Sequence, residues 1–232
     1  GASSVVFRGE SESEVQAEAL GSLLRHLDLG PTVIAGGSGG ARVSLLAAAR
    51  NPDVTAGLAM WWISGGVPGL LQLANYYCMP SADAAWHDGM EGVLAPDQWH
   101  EVLASNPGNR RRFLAMDRQE FLEVMDRWMR AYFPCDDSLV PGLDDDDVAR
   151  LRAPILVFRS GASDMSHTRA TSDALAAGLP GAEMVEPPWD DNEWNERRAA
   201  GEQAGSLFVR WPLLVPQLGA WAGRAIGGNG RS

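Results

Sequence analysis

The chain has 232 residues, 19 basic side chains against 30 acidic ones, a net charge of -11 and 45% hydrophobic residues. All 19 cations are arginines, which excludes chemistry that needs a lysine amine, such as Schiff-base formation, pyridoxal phosphate catalysis or a P-loop. The acidic balance argues against nucleic acid as a partner, because phosphates would meet like charge, and the length fits one domain or a core domain with an insertion.

Residues 13–29 read as a first helix. Ser13 and Gln16 have capping-box spacing, Leu20, Leu23, Leu24 and Leu27 follow the helical repeat, and Gly30-Pro31 stops it. A short apolar run, Thr32 to Ala35, leads into Gly36-Gly37-Ser38-Gly39-Gly40, and a second helix runs from Ala41 to Arg50 before Asn51-Pro52. Strand, glycine turn and helix make the repeating unit of a parallel α/β sheet. A further strand is expected over Gly57 to Ile63.

Residues 67–149 then show helical periodicity without a clear strand. Phe121, Met125, Trp128 and Tyr132 share one helix face, with Pro134 at its end. This stretch reads as a helical insertion between core segments 1–66 and 150–232. Arg110-Arg111-Arg112 is expected to be a solvated turn. Asp144 to Asp147 is expected to open a helix, since calcium ligation would need alternating ligands and a later bidentate Glu. Strands are expected again at Pro154 to Arg159 and Ala182 to Glu186, around a helix at His167 to Ala177. Leu214, Leu218 and Trp221 mark a last helix, and Gly227 to Ser232 reads as a frayed tail. The fold class is α/β: a mostly parallel sheet flanked by helices.

Cys78 and Cys135 read as buried thiols rather than a disulfide framework. No apolar stretch is long enough to span a bilayer and no signal peptide is visible, so no membrane partner and a cytoplasmic location are expected. No metal-ligand spacing is present, so neither a metal nor a cofactor is expected.

The turn at residues 36–40 matches G-x-S-x-G. A serine at the tip of such a turn sits on strained backbone, and small residues two before and two after it let strand and helix approach closely. The N–H of Gly39 would then face a developing oxyanion at a helix N-terminus. A dinucleotide-binding loop does not fit, because Arg42 stands at the third glycine position.

Around this turn the sequence resembles the α/β-hydrolase superfamily, in particular its cap-bearing members. "LLRHLDLGPTVIAGGSGGARVSLLAAARNPD" resembles the nucleophile strand, elbow and flanking helices. "VARLRAPILVFRSGASDMSH" is similar to the late strand and acid loop, and "ALAAGLPGAEMVEPPW" to the helix and strand that precede the catalytic histidine. The resemblance implies Ser38 as nucleophile, Gly39 as oxyanion donor, Asp164 as triad acid and residues 67–149 as the cap. The family's histidine should follow Glu186, but this chain has Pro187-Pro188-Trp189-Asp190-Asp191-Asn192 there and no histidine after His167. His167 is the candidate base. His87, His100 and the carboxylates Asp190 and Asp191 stand behind it, and His26 reads as a packed or surface residue.

The family also has strands before its elbow strand. Their absence here leads to the expectation of an upstream segment, either a companion chain or a cleaved piece. Of nine tryptophans, Trp61, Trp62, Trp128 and Trp189 are candidates for lining an apolar cleft, with core packing as the plainer role for each. The reading is a serine hydrolase acting on a small apolar ester, lactone, thioester or C–C bond adjacent to a carbonyl. The alternative is a non-hydrolytic protein of the same fold that binds a small apolar ligand or performs cofactor-free proton transfer.

Overall fold

A computed structural model describes residues 11–95, 99–133, 138–204 and 208–229. The turn at residues 1–3, Pro134, Cys135 and the last three residues of the tail lie outside them. The chain divides into two compact units, Leu70–Cys135 and the remainder, Gly1–Gly69 with Asp136–Ser232.

The larger unit is built on four parallel strands in the order β1-β2-β3-β4: Thr32–Ser38, Thr55–Ile63, Ile155–Phe158 and Ala182–Val185. Among the described residues β1 is therefore an edge strand. All nine residues of β2 are buried, as its unbroken small and apolar sequence requires of a strand covered on both faces. Helix α1 (Glu12–Leu27) and α2 (Gly39–Arg50) pack against each other, and α2 packs on β1 and β2. Ile34, Leu45, Leu46, Leu58, Met60, Ile155 and Val157 form the centre of one core. On the other side of the sheet, Trp61, Trp62, Leu156 and Phe158 pack with Leu214 and with Trp221 of α10 (Val215–Asn229).

Local details differ from the sequence expectations for identifiable reasons. The Ser13–Gln16 capping box does not form. The N-cap is Ser11, and Gln16 donates to Glu12 within the helix instead. Helix α1 ends at Asp28, which adopts the left-handed conformation (φ 50°) before Gly30-Pro31 is reached. Strand β1 runs on through Gly36 and Gly37 to Ser38, because its ladder with β2 continues that far. Asp144 caps α7 (Asp145–Arg150), and Asp147 is buried against Arg50 and Arg150.

The smaller unit is helical. It takes α3 (Val67–Gly92) from Leu70 onward, α4 (His100–Ser105), α5 (Pro107–Leu114) and α6 (Arg118–Tyr132). Its core joins Ala85, Met90, Val93 and Leu94 to Phe113, Phe121 and Met125, with Trp99 and Trp128 packed at the margin. The Arg110-Arg112 cluster lies at the C-terminal end of α5, where cations suit the helix dipole, rather than in a turn. Cys78 is a buried free thiol, pushed up to about 11 by burial. Among the described residues, no helix is long and apolar enough to cross a membrane, and no group of three or more His, Cys, Asp or Glu could hold a metal ion.

The glycines around Ser38 are not equivalent. A Cβ on Gly36 would stand 2.3 Å from the carbonyl oxygen of Gly40, and one on Gly37 would stand 2.1 Å from Trp61 Nε1. A Cβ on Gly40 would meet nothing within 4 Å. The close approach expected of both motif glycines is thus confined to the strand side of the turn. Gly36→Ala should cost at least about 3 kcal/mol, since the clash is with backbone that cannot rotate away. Gly40→Ala should be neutral or stabilising by up to about 1 kcal/mol, because alanine suits an open helical position. Denaturant unfolding of the two variants checks this, and equal destabilisation would refute it.

Candidate active site

Ser38 closes β1 and immediately precedes α2, with φ 58° and ψ -128°. A non-glycine residue at positive φ stores strain of order 1–3 kcal/mol and persists only where the surroundings impose it. The surroundings are visible in the ladder. Gly37 pairs with Trp61, but Ser38 pairs with Ile63, so Trp62 is an extra residue bulged out of β2. Trp62 itself has φ 47°. Two strained residues therefore sit side by side at the carboxyl ends of adjacent parallel strands, where open α/β sheets place their ligand sites.

The loop after β3 supplies the partners. Asp164 accepts from the backbone N–H of Ser166 (2.9 Å) and of His167 (2.8 Å) through Oδ1. Its Oδ2 accepts from His167 Nδ1 at 3.1 Å. The other ring nitrogen, Nε2, lies 2.9 Å from Ser38 Oγ. With Nδ1–H donated to the carboxylate, Nε2 is the acceptor for the hydroxyl proton. Asp164 and His167 are buried, while Ser38 keeps part of its surface open. Burial alone would raise the Asp164 carboxyl, but the His167 hydrogen bond and the Arg197 charge outweigh it and hold it below the usual carboxylate range.

The structure thus brings Ser38, His167 and Asp164 together in hydrogen-bonding order. Gly39 opens α2, whose first N–H groups have no acceptor within the helix. The other base candidates are placed within their own units. His26 is exposed near the end of α1, and His100 is exposed at the start of α4. His87 is exposed and pairs with Asp83. Asp191 is engaged by Arg169, which holds it below the usual range, the opposite of what a carboxylate base needs. Asp190 accepts from the N–H of Asn192.

The tryptophans divide. Trp62 is 1% exposed and its ring lies roughly parallel to the His167 ring, 6.1 Å away, so its surface is spent against protein. Trp189 and Trp211 pack on Trp62 at 6.0 and 5.4 Å, and Trp61 meets Trp211 edge-on at 5.0 Å. Trp128 belongs to the helical unit and packs on Tyr77.

Two site residues escape the sequence reading. Arg197, in helix α9 (Glu193–Ala204), donates to Asp164 Oδ2 at 3.0 Å, and Glu193 lies beside it. The signal was a Glu and an Arg four residues apart on the segment after β4, flanking Trp194.

No family model matches the chain, and no curated protein matches it. Among solved structures, the α/β-hydrolase enzyme MGS-M2 from a Medee basin deep-sea metagenome library is similar over 100% of this chain and 76% of its own, with TM-score 0.52 and 20% identity. The enol-lactonase from Burkholderia xenovorans LB400 aligns with 88% of this chain and 75% of its own at TM-score 0.48 and 20% identity, and Est816, an N-acyl homoserine lactone degrading enzyme, with 88% and 77% at 0.47 and 20%. The first of these fixes the fold: the chain has an α/β-hydrolase fold whose sheet, among the described residues, has four strands.

Glu193 gives the site a measurable pH signature. Burial, relieved in part by Arg197, pushes its carboxyl up to about 7 from 4.5. A raised acid stabilises the fold below its unfolded value and loses that contribution as pH rises through the folded one. Glu193→Gln should therefore melt progressively higher than the parent as pH climbs from about 4.5 to about 7, by a few degrees at the top of the window. Thermal unfolding across that range tests it, and a pH-independent difference would contradict it.

Proposed function

We propose that the protein is a serine hydrolase of the α/β-hydrolase fold, with Ser38 as nucleophile, His167 as general base and Asp164 as the acid that orients it. The observation that carries this reading is the 2.9 Å contact between Ser38 Oγ and His167 Nε2 on a strained strand-to-helix turn. His167 takes the hydroxyl proton as Ser38 Oγ bonds to a substrate carbonyl carbon. The Gly39 N–H stabilises the resulting oxyanion at the start of α2. Collapse expels the leaving group, which receives the proton from His167, and a water deprotonated by the same imidazole releases the acyl group from Ser38.

The preferred substrates are small and apolar: an ester, lactone or thioester, or a C–C bond adjacent to a carbonyl. Support comes from the aromatic groups beside the base, where Trp62 lies against His167 and Trp189 and Trp211 pack behind it. The alternative of a non-hydrolytic ligand binder drew its motive from a missing base. An imidazole within hydrogen-bond reach of the hydroxyl removes that motive.

A fluorophosphonate probe should label the protein stoichiometrically, and Ser38→Ala should abolish labelling. His167→Ala should slow it at least about a thousandfold, as expected when a triad member is lost. Intact-mass measurement of the labelled chain reads both, and a folded protein that resists the probe would end the hydrolase reading.

A further inference from the structure

The segment after β4, where the resemblance leads one to look for the base, carries a cation instead. Arg197 is 2% exposed, and its Nη2 donates to the same Asp164 oxygen that accepts from His167 Nδ1. Its guanidinium lies over the Trp62 ring at 3.5 Å and near the Trp194 ring at 4.4 Å. Its Nε is 3.3 Å from Glu193 Oε1. Both Glu193 oxygens are buried and have no hydrogen-bond partner.

Burying a guanidinium costs several kcal/mol unless its partners return it. A role limited to packing would be met more cheaply by an apolar residue of similar volume. A carboxylate held through Oδ1 alone could still swing Oδ2 away from the imidazole, and Arg197 closes that freedom. It also offsets the acid's charge. Without it, the imidazole would face the carboxylate's undivided charge. We propose that Arg197 is a positioning residue for the triad, fixing the rotamer of Asp164 and attenuating its charge, and that Glu193 behind it sets the strength of that attenuation. The inference rests on the triad reading for its catalytic meaning, but not for its geometry.

The groups facing His167 are few. Ser38 comes from the elbow, Trp62 from β2 and Asp164 from its own loop, while α9 brings Arg197 and Glu193. Behind Glu193 stand Glu196 and Arg210, paired with each other at 2.6 Å. Arg169, two residues past His167, is held by Asp191 and the Ser160 carbonyl.

The test is the pH profile of fluorophosphonate labelling of Ser38 in the full chain, from about pH 5 to about 9. Arg197→Met should lower the plateau rate roughly tenfold and move the acid limb up by about one pH unit, because the acid's full charge then favours the imidazolium. Arg197→Lys should restore at least about half of that displacement. A lower plateau with an unmoved limb, or no rescue by lysine, would reduce Arg197 to a packing residue. Should Arg197→Met not fold, Glu193→Gln decides. It should label more slowly by a factor that grows as pH passes about 7, where the parent side chain gains its charge, and a constant factor overturns the proposal.

Should the parent protein not label at all, the hydrolase reading fails, and the coupling is read without turnover from the His167 Nδ1–H proton resonance, identified by its loss in His167→Gln. Displacement of that resonance downfield in Arg197→Met and upfield in Glu193→Gln supports the coupling. An unmoved resonance refutes it.

Discussion

The site depends on how the Asp164 carboxylate is satisfied. A fully buried anion is tolerable only when donors replace its water, and here four do: two backbone N–H groups, one imidazole and one guanidinium. Three of the four come from residues two and three positions further along the same loop. An Asp that accepts from the N–H groups of the residues two and three ahead folds the chain back on itself. That local closure puts the His167 side chain beside the Asp164 carboxylate. Thr168 then caps α8 (Arg169–Gly178) by accepting from Thr171 N–H, which fixes where the loop ends. The second strand of support comes from residues 190–194. Ser163 N–H donates to the Asp191 carbonyl, and Ser163 Oγ accepts from Trp194 N–H.

The other half of the geometry is strain borne by the sheet. Ser38 and Trp62 both hold positive φ on neighbouring strands, a conformation that relaxes unless packing forbids it. Packing does forbid it. Strand β2 is buried throughout, and the Gly36 Cα sits against the first turn of α2 so tightly that no side chain fits. The bulge that displaces Trp62 from the ladder also turns its ring toward His167 and Arg197. One irregularity therefore bears on both Ser38, by ending the regular pairing beside it, and His167, by backing its ring.

Much of this was legible in the sequence because it is local. The strand–glycine–helix unit at 32–50, the four apolar strand runs and the candidacy of Ser38 follow from spacing and residue type, while Asp164, and His167 three residues beyond it, became candidates through the resemblance to the α/β-hydrolase superfamily. What spacing cannot give is distance across the fold. His167 and Ser38 are 129 positions apart, and only the parallel register of β1, β2 and β3 brings their C-terminal ends to one edge. The roles of Gly36 and Gly40 looked symmetric in the motif and are not, because contact depends on which backbone atom lies opposite. Helix α9 was missed because "EWNERRAAGEQA" carries no apolar stripe. Its inward residues are Glu193 and Arg197, which a hydrophobicity pattern counts as solvent-facing. Trp62 was a candidate for lining a cleft with core packing as its plainer role, and the bulge that buries it, invisible in the sequence, decides for packing.

On the proposed reading, acid and base share one loop, which changes what the rest of the chain must do. When the base comes from a separate segment, that segment has to be held in register with the nucleophile. Here the i,i+3 spacing does that work inside a single turn, and the segment after β4 is released from it. The same short spacing has a cost. A carboxylate so close to its imidazole, and so well shielded from water, is a buried charge that needs further compensation. Helix α9 places a buried cation, Arg197, on the same Asp164 oxygen that accepts from the imidazole. Beside that cation, at 3.3 Å, stands Glu193, pushed up to about 7 by burial. On that reading, His167, Asp164, Arg197 and Glu193 form one chain of contacts, each group set against the charge of the one before.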